Sequence, residues 1–135
     1  MSVRTLRVPW KISSAVDVRR ALAVELRALQ VDATVVDDTV TVISELVANA
    51  AHHAKALPDG MISVSWSVRS GVVEAEVTDG GGPTSPRLAP ASLWSDGGRG
   101  LRIVSRLAHE WGVLECPSGR TVWVCLGGPS RRGRL

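Results

Sequence analysis

The chain has 135 residues, the size of one domain with one core. With 44% apolar residues it has enough to bury, which excludes wholesale disorder, and no apolar run approaches the ~20 residues that span a bilayer. The net charge is only +3, and Arg131, Arg132 and Arg134 crowd the last few positions, so the body is close to neutral and argues against a nucleic-acid surface.

The opening MSVRTLRVPW lacks the apolar stretch of a secretory signal, so the expectation is a soluble, cytoplasmic protein that makes no use of a membrane. Leu6 to Trp10 reads as a short strand, and Pro9 places it at a sheet edge. Ser13 and Ser14 are caps for a helix over Ala15 to Leu29, with Val18, Ala21, Leu22, Leu26 and Leu29 on one face. Gln30 to Thr34 breaks the pattern. A second helix runs from about Val35 to Ala54, with Asp37 and Asp38 near its positive end. Leu57-Pro58-Asp59-Gly60 is a turn.

Met61 to Arg69 alternates Ile62, Val64, Trp66 and Val68 with serines. Val72 to Thr78 alternates Val73, Ala75 and Val77 with Glu74 and Glu76, and Ser70-Gly71 joins the two strands as a hairpin. Each strand has one apolar face, so helices cover one side of the sheet. Asp79 to Gly98 is a 20-residue stretch rich in Gly, Pro and Ser, and a loop that long in a compact domain is usually functional. A third helix follows Gly100 and runs to about Glu110. Trp111 to Cys116 and Arg120 to Leu126 form a last hairpin. The expected fold class is α/β, a two-layer sandwich whose mixed, mainly antiparallel sheet carries helices on one face. Residues 1–126 form a single domain, and residues 127–135 a basic, flexible tail. Pairing Cys116 opposite Thr121 sets Cys125 opposite Gly112, roughly 13 Å away along the strand, too far for a disulfide.

Four clusters remain that packing does not explain. Glu45 and Asn49 lie one turn apart on an apolar helix, in SELVANAAHHA. An asparagine carbonyl suits Mg²⁺, and a carboxylate suits a general base; a helix edge facing water would look the same. In VTDGGGP, Asp79 ends an apolar strand where it can accept from an exocyclic amine, and Gly81 permits positive φ and close approach of a flat ligand. A plain Asp-Gly turn is the alternative. In DGGRGLRIV, Gly98, Arg99 and Gly100 precede Leu101 at a helix start, where backbone N–H groups attract phosphate. In Gly119-Arg120-Thr121, Thr121 offers a hydroxyl to a base or a bridging water, or is simply a strand-favouring residue.

Taken in order, E-x-x-x-N, D-x-G, G-x-G-L and G-x-T resemble the Bergerat-fold ATP-binding family of gyrase-type ATPases, Hsp90, histidine kinases and MutL. ELVANAAHHA, GGRGLRIV, and WGV followed by GRTVW are most similar to the small bacterial anti-sigma factor serine/threonine kinases. The resemblance covers Thr5 to Leu126, with 30 positions from Asn49 to Asp79 and 19 from Asp79 to Gly98. It implies Glu45 as general base, Asn49 as magnesium ligand, and Asp79 with Gly81 at the adenine. It implies Gly98, Arg99, Gly100 and Leu101 at the phosphates, and Thr121 supporting the base. It further implies ATP and Mg²⁺ as cofactors, a sigma factor and an antagonist protein as partners, a homodimer, and phosphorylation of the antagonist. Arg19 and Arg20 lie on the expected partner face, and His53 has a structural place beside the site. The glycine run DGGGP lacks the charged or bulky residue often found after the aspartate, which motivates a second reading: a nucleotide-binding regulatory module without kinase activity.

Overall fold

A computed structural model describes residues 3–82 and 99–129. The elements run β1 (Arg4–Pro9), α1 (Ser14–Ala28), α2 (Ala33–His53), β2 (Met61–Arg69), β3 (Val72–Asp79), α3 (Arg99–Leu107), β4 (Glu110–Cys116) and β5 (Gly119–Leu126). The strands form one sheet in the order β1-β2-β3-β5-β4, so the proline-bearing β1 is at an edge, as Pro9 requires. The arrangement is an α/β sandwich with its helices on one face.

All four pairings are antiparallel, so the parallel component expected of a mixed sheet is absent among the described residues. Two features of the path explain this. The helical hairpin α1–α2 returns the chain to the sheet end it left, so β2 runs back along β1. Strands β3 and β4 do point the same way, but β5 lies between them and pairs antiparallel with both.

Alternation settles which face is buried. Ile62, Val64 and Trp66 of β2, Val73, Ala75 and Val77 of β3, and Val122, Val124 and Leu126 of β5 turn toward the helices. They meet Val18, Leu22 and Leu26 of α1, Val42, Ile43, Leu46, Val47 and Ala50 of α2, and Val104 of α3. Leu22, Leu26, Ile43, Ile62 and Leu126 are fully buried, each worth about 1.5–3 kcal/mol of apolar transfer.

Several local devices differ from the sequence expectation. Ser13 makes no side-chain cap; Ser14 is the first helical residue, and its buried hydroxyl donates to the Pro9 carbonyl at 2.7 Å, tying α1 to the end of β1. Helix α2 starts two residues early because Asp32 is its N-cap, accepting from Thr34 N at 3.0 Å. Asp37 and Asp38 therefore fall beyond the first turn. Helix α3 takes in Arg99 and stops at Leu107, because His109 N already bonds Cys125 O in the sheet at 2.7 Å.

The β4–β5 register is shifted by two residues. Cys116 stands opposite Gly119 and Cys125 opposite Glu110, because only Pro117 and Ser118 form the turn. The two cysteines are thus six strand positions apart, 116 against 110, or roughly 20 Å. No disulfide spans that distance, and the Cys125 thiol is buried, outside any disulfide, and donates to Gly128 O at 3.1 Å. No helix among the described residues is long and apolar enough to cross a membrane. The tail arginines Arg131, Arg132 and Arg134 lie outside the described residues, as do residues 83–98 of the long loop.

Candidate nucleotide-binding site

The C-terminal end of α2 is fixed to the strand ends by one side-chain donor and two backbone hydrogen bonds. The Trp10 indole N–H donates to both Ala50 O and Ala54 O, each at 3.1 Å; Ala50 O also accepts from Ala54 N, so the indole adds a second donor there and ties β1's end to the exit of α2. Just beyond the helix, Lys55 N bonds Gly81 O at 2.8 Å and Gly80 N bonds Lys55 O at 2.7 Å. This two-bond bridge joins the exit of α2 to the exit of β3. It brings the backbones so close that a Cβ on Gly80 would lie 2.1 Å from the Ala56 carbonyl oxygen. Gly81 sits at φ +86°, a conformation that favours glycine, with nothing within 4 Å of where its side chain would begin.

Asp79 is the last residue of β3 and shares the parity of Val73, Ala75 and Val77, so it is carried to the helix-facing side and is only 4% exposed. Its Oδ1 accepts from Gly81 N at 2.7 Å. Directly opposite it on β5 stands Arg120, itself buried, whose Nε is 3.7 Å from the same oxygen. Burial pushes the Asp79 carboxyl above its usual value; the attraction of Arg120 and the Gly81 N–H pull it down without offsetting that.

Asn49 lies at the border of the buried stripe of α2. It is 9% exposed, and its Nδ2 is buried with no hydrogen-bond partner among the described residues. His53, one turn further on, has its carbonyl oxygen 3.8 Å from the place where a Gly82 side chain would begin. Asn49 lies one turn, about 6 Å of rise, before His53 on α2, whose carbonyl is the point of α2 that comes near Gly82. Glu45 lies a turn further back and is half-buried. The His53 ring packs edge-on against His52, with centroids 4.4 Å apart.

Arg99, Gly100 and Leu101 form the first turn of α3, which presents backbone N–H groups as any helix start does. Gly98 lies outside the described residues. Thr121 is not brought to this group. Its hydroxyl is 2.8 Å from that of Thr78, its partner in register, and both belong to the sheet face turned away from the helices. The residue that occupies the helix side at that level is Arg120, which sequence reasoning passed over. Period-two parity reveals it, since Arg120 is in phase with the buried Val122, Val124 and Leu126, and Thr121 is out of phase.

The donor set fits a nucleotide-borne magnesium. Among the described residues no cluster of three or more His, Cys, Asp or Glu is present. Mg²⁺ needs no such cluster: it keeps several waters, takes phosphate oxygens, and asks the protein for one or two oxygens. The side-chain oxygen of Asn49 is of that kind, on an amide whose Nδ2 is buried with no hydrogen-bond partner among the described residues.

A search of curated proteins finds no match to this chain. Among solved structures, it is similar to a crystal structure of the RsbU and RsbW domains of Rv1364c from Mycobacterium tuberculosis. The identity is 25% and the TM-score 0.72, over 93% of this chain and 32% of that one. The chain therefore spans about a third of the length of the solved chain it matches. The model of the histidine kinase-like ATPase domain matches residues 8–126, nearly the whole chain, and the chain belongs to that family.

Proposed function

We propose that this protein is a Mg-ATP-dependent serine/threonine protein kinase that acts as an anti-sigma factor, phosphorylating a protein antagonist of that role. One observation carries the reading: two buried polar side chains, Asn49 with an unpartnered Nδ2 and Asp79 with its carboxyl desolvated, lie at the same end of α2 in a histidine kinase-like ATPase fold. Along α2, the order from its C-terminal end is Asp79 with its glycines, then Asn49, then Glu45. A nucleotide laid in that direction puts its base at Asp79 and its phosphates toward Asn49 and Glu45.

In this reading Asp79 accepts a hydrogen bond from the adenine amine, and Asn49 holds Mg²⁺ through its amide oxygen. Magnesium, when bound, neutralises phosphate charge. Arg99, Gly100 and Leu101, with Gly98 before them, offer backbone N–H groups to the phosphates. Glu45 takes the proton of the attacking hydroxyl, and positioning does most of the rest, as is general for phosphoryl transfer. The similarity to a chain containing RsbU and RsbW domains supports a place in a partner-switching system; a sigma factor and an antagonist as partners and a homodimer as the assembly complete the proposal. The test is incubation of the protein with radiolabelled ATP and a serine-bearing candidate antagonist. Transfer that is lost in Glu45→Gln, with ATP binding kept, is the expected result; transfer undiminished in Glu45→Gln sinks the assignment.

A second reading is nucleotide binding without transfer. It is favoured by the glycine run after Asp79, DGGGP, which lacks a charged or bulky residue beside the base acceptor. Mg-ATP binding in calorimetry, with no label transferred to any partner, selects it.

A further inference from the structure

The outer edge of β1 is a feature that the nucleotide site does not use. Among the described residues β1 pairs with β2 alone, and it ends the sheet on that side. Trp10 continues its register opposite Gly60 and donates to the Gly60 carbonyl, so the even-numbered residues of β1 aim their backbone groups at β2. Those of Val3, Thr5 and Arg7 therefore point outward. Pro9, next in that series, has no N–H, and its carbonyl already accepts from Lys11 N and from the Ser14 hydroxyl. The edge thus offers donors and acceptors at three alternate residues and is closed at the fourth. Beside it, Arg4 lines an open groove with Ala21, Val24, Ala28 and Leu29 of α1. Ala21, Val24 and Ala28 share one face of that helix, and Val24 is 69% exposed. Arg4 pairs with Glu25 at 2.9 Å, which ties α1 to this edge.

An edge strand with outward backbone groups is a template for another strand, and a two-fold pair requires that the edge complement itself. Register decides whether this one does. An antiparallel copy centred on Arg7 sets Arg7 against its own counterpart, like charge on like charge. One centred on Leu6 sets Val3 opposite Pro9, which has no N–H to give. Centred on Thr5, Thr5 faces the second copy's Thr5, Val3 faces its Arg7, and all three outward residues exchange both backbone bonds. Threonine opposite threonine is a favourable pair, and the exposed Val3 packs on the apolar stem of the arginine. The same two-fold axis sets the two α1 grooves facing each other over the joint and gives the exposed Val24 apolar cover. We propose that a second copy of this chain docks antiparallel along β1, centred on Thr5, so that one continuous sheet runs through both copies and the α1 grooves close on each other. The inference deepens the homodimer of the proposed function and rests on that part of it.

The experiment is analytical ultracentrifugation of the full chain without nucleotide, from about 1 μM to about 1 mM, in wild type and three variants. Thr5→Pro removes an outward N–H from an edge strand, where the monomer tolerates proline. Val24→Lys adds a charge at an exposed position of the groove. Leu114→Lys, at a residue 57% exposed on β4, the opposite edge, is the control. Wild type is expected to sediment as a dimer at the upper concentrations. Thr5→Pro and Val24→Lys are each expected to raise its dissociation constant by about tenfold or more, and Leu114→Lys to leave it within about twofold. Hydrogen exchange at the Thr5 and Arg7 amides is expected to slow by about tenfold or more as wild type is concentrated through that constant. Where Thr5→Pro does not fold, Val24→Lys and the exchange of these two amides decide. A dimer that Thr5→Pro leaves equally tight, or one in which the Thr5 and Arg7 amides keep their monomer exchange rates, overturns the inference while the homodimer stands. A wild type that stays monomeric to about 1 mM removes the homodimer and the inference together and leaves nucleotide binding and transfer to their own tests.

Discussion

Asp79→Asn separates two accounts of the same buried pair. Counting salt bridges, the substitution leaves Arg120 buried without its counter-charge and costs about 3–5 kcal/mol. Linkage gives the opposite sign. Burial raises the Asp79 carboxyl above 3.8, and the pull of Arg120 and of the Gly81 N–H does not reverse this. The folded state therefore holds that proton more tightly than the unfolded chain does. The stability this group contributes is complete below pH 3.8 and is lost as the pH rises through the folded-state value. Asparagine fixes the neutral form. It also keeps an oxygen to accept from Gly81 N, now 2.7 Å from Oδ1. The 3.7 Å separation from Arg120 marks an attraction without a hydrogen bond, the weaker side of the balance. At pH 7 the variant is expected to be at least as stable as wild type, gaining about 1.4 kcal/mol for each unit by which burial lifts the carboxyl. Urea unfolding followed by tryptophan fluorescence measures it, and the gap between the two proteins should close toward pH 4, approaching the 3.8 of an unperturbed carboxyl. The same variant should bind Mg-ATP about tenfold or more weakly, having lost a charge-assisted hydrogen bond. A midpoint that falls at pH 7 by the equivalent of about 2 kcal/mol or more would refute the claim that desolvation outweighs Arg120.

Three further outcomes follow from particular contacts. Asn49→Leu should raise stability by about 1 kcal/mol in urea unfolding, because Nδ2 is buried without a partner, and should abolish Mg-dependent ATP binding in calorimetry. Trp10→Phe removes the indole N–H shared by Ala50 O and Ala54 O and should cost about 1–2 kcal/mol, with faster hydrogen exchange in the last turn of α2. Gly80→Ala should cost about 1–3 kcal/mol, measured by denaturant midpoint. Its Cβ would lie 2.1 Å from Ala56 O, in backbone that the bonds between Lys55 and the glycines hold in place.

The strands were legible because their alternation is strong. Ile62, Val64 and Trp66, with Val73, Ala75 and Val77, set β2 and β3 almost to the residue. Helix α2 was legible in its body but not at its start. Asp32 caps it from within a segment whose apolar period had already failed, and Asp37 and Asp38 offered a more conspicuous acidic signal. The last hairpin was displaced by two because Pro117 and Ser118 turn the chain alone, and nothing local in CPSGR chooses between a two- and a four-residue turn. In the site, Asn49 stood out as a polar residue in an apolar run. Arg120 did not, because the surrounding motif drew attention to its threonine; only the phase of β5 against its own valines shows which side chain faces the helices. The bridge from Lys55 to Gly80 and Gly81 is a tertiary contact between segments 25 positions apart, counting from 55 to 80, and no local pattern encodes it.

Stability alone does not account for Asn49 and Asp79 being buried where they are. An amide with an unsatisfied buried donor costs about 1–3 kcal/mol, and a carboxyl whose ionisation burial opposes adds a further cost at neutral pH. Both positions sit among leucines, valines and alanines that would pack without either cost. A fold that tolerates one such group can be ascribed to local compensation. Here the two lie at one end of one helix, in segments stitched together by the Lys55 bridge and by the capping indole of Trp10. The surrounding backbone is held rigidly so that the costly groups keep fixed positions. Rigid support for destabilising polar groups is what a preorganised binding site requires and what a plain core has no use for. The same logic makes the stability of Asp79→Asn and Asn49→Leu informative. If both variants gain stability while losing nucleotide, the residues are there for the ligand; if both lose stability, they are there for the fold.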